Sequence, residues 1–353
     1  MRLYPNISAI FIVWSLAVLF IGFSAVNLFP HSGRFDQDFF KSLSNWDGGH
    51  YLGIAQFGYS EKFQYAFFPL YPILIKYLTE MTQNYFLSGI LISVICSFFG
   101  LQILYKLISA DFDKKLAEKA ITFLLFFPTS FYFLTVYSEG LFFYLVVSTF
   151  YFLRQQKLFW AVAFASLASA TRLAGLAVVI ALLVDIHLRG GINRKNWSVL
   201  FAPLGFILYC LFLYNQTGDP FYFITAENHW LRSLSLPVVP FWETIRNLST
   251  PGFINTNFMA FLDLLFAILG VGLAIRAWRF LTPVYSIYSL LAVGIPLFSP
   301  SLSSMPRFLL VVFPIFLLLA LIKNKNLVLI YQLISVMLLS LFIALFINGY
   351  WVS

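Results

Sequence analysis

The segment Asn45-Trp46-Asp47-Gly48-Gly49-His50-Tyr51 places a carboxylate before two glycines, with an imidazole three residues further on. Paired glycines permit a tight turn that presents the carboxylate and leaves backbone N–H groups open. If a helix starts here, Asp47 and His50 share one face of it. Such a pair can take a proton from a hydroxyl and hold an anion. The same residues, with Gly58-Tyr59 and Phe67-Phe68-Pro69-Leu70-Tyr71-Pro72 beyond them, also read as a turn carrying interfacial aromatics.

Further polar residues stand out against apolar surroundings. Glu139, in Tyr137-Ser138-Glu139-Gly140, is an acid within almost continuous hydrophobic sequence, where an ionisable group is costly. Arg172, in Ser169-Ala170-Thr171-Arg172-Leu173-Ala174-Gly175, either pairs with Glu139 or offers its planar fork to a phosphate. Gly218-Asp219-Pro220-Phe221 is a turn signal, followed by Glu227, His229, Trp230 and Arg232. That stretch suits a sugar platform or an amphipathic interfacial helix. Arg307, in Ser303-Ser304-Met305-Pro306-Arg307-Phe308, stands where a loop enters an apolar run and reads as a snorkelling cation or a phosphate ligand. Asp263 is a candidate partner for one of these arginines. Asp36 and Asp38 are spaced like a metal-binding carboxylate pair, but no third ligand is evident and no other cofactor is indicated.

The elements that must position these groups are membrane helices. Of the 353 residues, 61% are hydrophobic and 10% charged, against roughly 25% charged in an ordinary soluble domain. The +8 charge is scattered between apolar stretches, which argues for membrane topology and against nucleic acid. Cys96 and Cys210 lie in apolar segments and read as packing residues. The amino-terminal apolar run reaches Phe29 without a small-residue cleavage site, so a retained first helix is expected. Apolar runs predict spans over 7–29, 85–108, 120–136, 140–153, 198–214, 258–276, 282–298, 308–322 and 327–349. The run 158–188 is too long for one span and divides near Thr171-Arg172, giving about eleven. Segment 67–77 is short and interrupted by Pro69 and Pro72, so it is expected to be interfacial or re-entrant.

The expected architecture is therefore an all-α, polytopic transmembrane bundle forming a single domain over 1–353. A cytoplasmic amino terminus places fourteen of the 22 Lys and Arg residues in short inner loops. The long segments 30–84, with short interfacial helices, and 215–257 then face outward. That orientation gathers Asp47, His50, Glu139, Arg172, Asp219, His229 and Arg307 at one membrane face, as an external polar cavity would require.

The ordered set Trp46-Asp47…His50-Tyr51, Phe68-Pro69-Leu70-Tyr71-Pro72, Tyr137-Ser138-Glu139, Thr171-Arg172…Gly175 and Pro306-Arg307-Phe308 resembles the PIG-V-type GPI mannosyltransferase II family. That family belongs to the GT-C superfamily of membrane glycosyltransferases. Gly218-Asp219-Pro220-Phe221 with Trp230 looks like its prokaryotic branch. The resemblance implies inverting transfer of a sugar, usually mannose, from a polyprenyl- or dolichyl-phosphate donor. The acceptor would be a lipid, glycan or protein on the extracytoplasmic face, in the cell membrane if the source is prokaryotic. Asp47 would be the general base. Arg172 and Arg307, with His50, would neutralise the departing phosphate, while Trp46, Tyr51, Glu139, Asp219, His229 and Trp230 would line the donor site. The chain is compact beside eukaryotic members, and a prokaryotic source would lack a GPI precursor. No nucleotide-binding fingerprint appears, in keeping with a lipid-linked donor. The rival class, a secondary transporter or lipid flippase, calls for midplane charges and related halves. Most acids here fall in loops, and no repeat is visible.

Overall fold

The computed structural model describes residues 3–250 and 257–352. Residues 251–256, which the sequence assigns to the second long loop, lie outside the described residues, as do Met1, Arg2 and Ser353. Among the described residues the regular structure is helical and no strand occurs.

The helices, in chain order, are α1 (Pro5–Leu28), α2 (Phe39–Ser42), α3 (Asp47–Phe57), α4 (Leu70–Thr82), α5 (Tyr85–Ser109), α6 (Lys114–Phe126) and α7 (Glu139–Arg154). They continue with α8 (Leu158–Ser169), α9 (Gly175–Leu188), α10 (Leu204–Thr217), α11 (Tyr222–Ala226) and α12 (Val239–Leu248). The last are α13 (Phe258–Phe280), α14 (Pro283–Gly294), α15 (Met305–Leu310), α16 (Phe313–Ala320) and α17 (Lys325–Ile347).

Side chains cap several starts. Asn84 accepts from Leu87 N–H, Asp113 from Leu116 N–H, and Asn324 from Asn326 and Leu327 N–H. Proline sets several stops, because it clashes with a preceding helical turn and lacks an N–H. The run expected as one span over 120–136 is helical only to Phe126, ahead of Pro128, and resumes as a 3-10 turn over Ser130–Leu134. Likewise 308–322 is divided into α15 and α16, with Pro314 in the first turn of the second. Segment 67–77 contributes the thirteen-residue α4, with Pro72 tolerated in its first turn.

Among the described residues, five segments are long and apolar enough to cross a membrane: Pro5–Leu28, Tyr85–Ser109, Trp197–Thr217, Phe258–Phe280 and Lys325–Ile347. Much of their apolar surface points away from protein. On α1, Val13, Leu16 and Phe20 are 67%, 64% and 70% exposed, a face that hydrocarbon and not water would cover. The chain is an integral membrane protein.

Two compact units divide the chain. The first comprises Met1–Gly58, Tyr71–Tyr151 and Phe316–Val352. In it α1 packs on α17 and α5, and α5 on α6. The second comprises Tyr59–Leu70 and Phe152–Ile315. There α9 packs between α8 and α14, and α13 runs beside α14 and α15.

Candidate functional site

In the first unit, Asp47 opens α3 and lies in its first turn, where the helix macrodipole favours negative charge. His50 and Tyr51 follow at i+3 and i+4, so all three share one face. Asp47 and His50 are half-buried, while Tyr51 is buried. The Tyr51 hydroxyl meets Ser138 Oγ at 2.9 Å, and its ring stands edge-on to Tyr71 at 5.0 Å. Tyr71 in turn donates to the Gly89 carbonyl at 3.0 Å and meets Ser93 Oγ at 2.8 Å. Ser93 donates to the Tyr137 carbonyl at 2.9 Å. Two sets of hydroxyl contacts, joined by the Tyr51–Tyr71 ring pair, thus tie α3, α4 and α5 to the loop that begins α7.

Glu139 begins α7 and is fully buried. Its neighbour must be glycine. A Cβ on Gly140 would lie 2.5 Å from both the Ser93 carbonyl oxygen and Ser97 Oγ, closer than any methyl tolerates. This close approach brings the start of α7 against α5 and fixes Glu139 at the edge of these hydroxyl contacts.

Trp46, just before Asp47, has φ 59° and ψ −121°. That is the first central position of a type II′ turn, normally glycine's. A tryptophan remains there because its ring is held on several sides. Trp46 Nε1 donates to the Tyr350 carbonyl at 3.2 Å. Phe35 and Trp351 stand edge-on at 5.2 and 5.1 Å, and the Arg34 guanidinium lies 5.3 Å from the ring. Asn45 adds a bond from Nδ2 to the Phe346 carbonyl at 3.0 Å and accepts the Tyr137 hydroxyl on its own carbonyl, also at 3.0 Å. Residues 346–352 are therefore part of the cradle for Asp47, a role that nothing in their sequence advertises.

Asp36 and Asp38, the expected metal-type pair, both have local duties. Asp36 pairs with Lys41 Nζ at 2.9 Å. The hydrogen bond first, and the charge second, hold the Asp36 carboxyl below the ordinary aspartate range and raise Lys41 above the ordinary lysine range. Asp38 caps α2 by accepting Lys41 N–H at 2.9 Å. No cluster of three His, Cys, Asp or Glu with metal-binding geometry occurs among the described residues.

The second unit carries the arginines. The apolar run 158–188 breaks where the sequence predicts it, with α8 ending at Ser169 and α9 starting at Gly175. Arg172 lies in the intervening turns, its carbonyl accepting Gly175 N–H at 2.8 Å. Gly175 allows the reversal, since a Cβ there would meet the Ala168 carbonyl oxygen. The Phe-Pro-Leu motif docks on this break: Leu70 N–H donates to the Ala170 carbonyl at 3.1 Å. Phe68 packs against Tyr209 at 4.8 Å and against Phe223 at 5.6 Å.

Arg307 is buried at 7% exposure in α15. Its guanidinium carbon and that of Arg172 each lie 5.8 Å from the Phe308 ring centroid. Arg232 joins them at 5.7 Å, although the sequence assigned it no role. No motif flags a convergence of residues 172, 232, 307 and 308; only the fold brings them to one ring.

Asp219 serves a turn. Its Oδ1 accepts Phe221 N–H at 2.9 Å, just after Gly218 ends α10. His229 stacks on Phe63 with centroids 4.3 Å apart, and Trp230 stands edge-on to Phe63 and Phe67 at 5.6 and 5.7 Å. Asp47, His50, Tyr51, Trp46 and Glu139 thus belong to the first unit, and Arg172, Asp219, His229, Trp230 and Arg307 to the second.

Helices with exposed apolar faces define an integral membrane protein, with Asp47 and His50 on one helix face of the first unit and three guanidinium groups around Phe308 in the second. Residues 31–190 match the family model described as Mannosyltransferase (PIG-V), which covers the Trp-Asp, Phe-Pro-Leu-Tyr-Pro, Tyr-Ser-Glu and Thr-Arg motifs. The resemblance to that family read from the motifs is therefore shown over this region. GPI mannosyltransferase 2 of Drosophila pseudoobscura pseudoobscura is 28% identical over 113 residues, which is 29% of this chain and 25% of that protein. Among solved structures, the Archaeoglobus fulgidus oligosaccharyltransferase tethered with an acceptor peptide is 13% identical. That match covers 96% of this chain and 55% of the other, with a TM-score of 0.45.

Proposed function

We propose that the protein is an inverting, GT-C-type membrane glycosyltransferase, a mannosyltransferase by kinship, using a polyprenyl-phosphate-linked sugar donor. The acceptor is a lipid, glycan or protein hydroxyl. The observation carrying this reading is that the family match spans Asp47, His50, Glu139 and Arg172, the chemically equipped residues of 31–190.

In this mechanism the Asp47 carboxylate takes the proton of the acceptor hydroxyl as its oxygen attacks the anomeric carbon. The bond from that carbon to the phosphate oxygen breaks, and its electron pair leaves on the phosphate. Arg172 and Arg307 meet that charge, with His50 as an additional donor. Glu139, fully buried at the start of α7, acts as a positioning residue, and His229 with Trp230 offers an aromatic face to the donor. The helix-rich chain would cross the membrane about eleven times, with its amino terminus in the cytoplasm. Chemistry would take place on the extracytoplasmic face, a reading supported by the distribution of Lys and Arg among short loops.

Sugar transfer from radiolabelled polyprenyl-phosphate donors by purified protein in nanodiscs tests this reading. Asp47→Asn should fold, elute like the parent and transfer no sugar; full activity in that variant rules out the base assignment. Arg172→Ala should lower turnover by orders of magnitude, since one preorganised charge stabiliser is worth about 3–4 kcal/mol. A change of only a few-fold would make Arg172 a structural residue.

A further inference from the structure

We propose that Arg232 is a third phosphate ligand, gathered with Arg172 and Arg307 around the Phe308 ring, and that this trio is matched to the leaving phosphate more than to the donor. The inference deepens the donor-phosphate reading above and rests on it. Three guanidinium carbons lie within 5.8 Å of one ring centroid, although they come from the break after α8, the loop after α11 and the helix α15. Phe308 gives each cation a face or edge to settle against, which restricts where the planar forks can point.

Arg232 is anchored as a ligand should be. One of its terminal nitrogens donates to the Ser303 carbonyl at 2.8 Å, and the other lies 3.9 Å from the Glu227 carboxylate. Its side chain is only 19% exposed. Ser303 begins the stretch leading into Met305-Pro306-Arg307, so Arg232 fastens its own loop to the residues that carry the second cation. A second tie runs alongside, from Ser235 N–H to the Phe298 carbonyl at 3.0 Å.

The charge argument follows from the reaction. A sugar phosphodiester donor carries one negative charge. When the carbon–oxygen bond breaks, the electron pair stays with the phosphate, and the product is a monoester of about −1.5 to −2 charge near neutral pH. One cation would suffice to hold the donor. Two or three discriminate between donor and product, and an interaction that strengthens as charge develops accelerates the chemical step. The cost is slow release of the product.

The test measures donor KM, kcat and inhibition by polyprenyl phosphate for the parent, Arg172→Ala, Arg232→Gln and Phe308→Leu in nanodiscs. Glutamine at 232 deletes the charge but is two bonds too short for the Ser303 carbonyl, so Arg232→Lys, which keeps the charge, is measured beside it and should recover most of the product affinity. Expected for Arg232→Gln is a loss of kcat and of product affinity of about tenfold to a hundredfold each, with donor KM moving by about threefold or less. Phe308→Leu keeps the apolar volume and should shift kcat and product inhibition in the same direction by a smaller factor. If Arg172→Ala weakens product inhibition and Arg232→Gln does not, the inference is overturned and the donor reading stands. If neither variant changes product inhibition, both fall. An equal rise in donor KM and product inhibition constant with kcat preserved would also overturn it, because the site would then bind both phosphates alike.

Discussion

Trp46 offers the sharpest test of the geometry around Asp47. Its backbone conformation, φ 59° and ψ −121°, costs a side-chain-bearing residue about 1–3 kcal/mol. Against that stand two edge-to-face ring pairs at about 0.5–1.5 kcal/mol each, one indole hydrogen bond at about 1 kcal/mol, and an arginine over the ring at about 0.5–1 kcal/mol. Replacement by alanine forfeits these contacts and retains the strained backbone, so Trp46→Ala should cost about 3–5 kcal/mol. Trp46→Gly forfeits the same contacts but relieves the strain, at a chain-entropy cost of about 0.5–1 kcal/mol. The glycine variant should therefore be the more stable of the two by about 0.5–2 kcal/mol. At an ordinary position the order is the reverse. Thermal unfolding midpoints of the parent and both variants in one detergent would decide it, with sugar transfer measured in parallel. A midpoint for Trp46→Ala equal to or above that of Trp46→Gly refutes the turn geometry and with it the account of how Asp47 is presented.

Other perturbations reach different parts of the assembly. Gly140→Ala forces a methyl against the Ser93 carbonyl and should destabilise by about 1–3 kcal/mol or more; a variant with parental midpoint and activity would contradict the α7–α5 contact. Tyr51→Phe removes the 2.9 Å contact with Ser138 and should cost about 1 kcal/mol while leaving the fold intact, as detergent unfolding would register. Lys119→Met should cost more, about 1.5–3 kcal/mol, because Lys119 Nζ donates to the Ala320 and Ile322 carbonyls at 2.8 and 2.6 Å where α16 ends. Proteolysis within 321–326 should accelerate in that variant, and unchanged cleavage would count against the clamp.

Local features were legible because their causes are local. The break at Thr171-Arg172 followed from a run too long for one span, whereas Gly48 and Gly49, expected to form a tight turn, lie inside α3 and the turn falls at Trp46. Prolines 128 and 314 were visible in the sequence, yet hydropathy alone carried both runs straight through them. Apolar composition reports what lipid or protein can cover; it says little about where the backbone breaks. The Asp36 and Asp38 pair shows a second limit. Spacing matched a metal-type pair without a third ligand, and it gave no hint that Lys41 supplies both the cation for Asp36 and the N–H for Asp38. Trp46 carried no turn signal, because the residue that favours its conformation is glycine. The grouping of Arg172, Arg232 and Arg307 was illegible for another reason: no periodicity links positions so far apart.

The bond from Asn45 to the Phe346 carbonyl joins residues 301 positions apart. At about 5–20 residues per second, a ribosome needs roughly 15–60 s to make the intervening chain. Throughout that interval the Asp47 turn has no Tyr350, Trp351 or Phe346 to lean on, and its strained tryptophan is free to relax. If Asp47 is the base, as proposed, the nascent chain cannot hold its turn in register until α17 and the residues behind it have been made. Nascent chains stalled before that helix should insert normally and yet process no sugar.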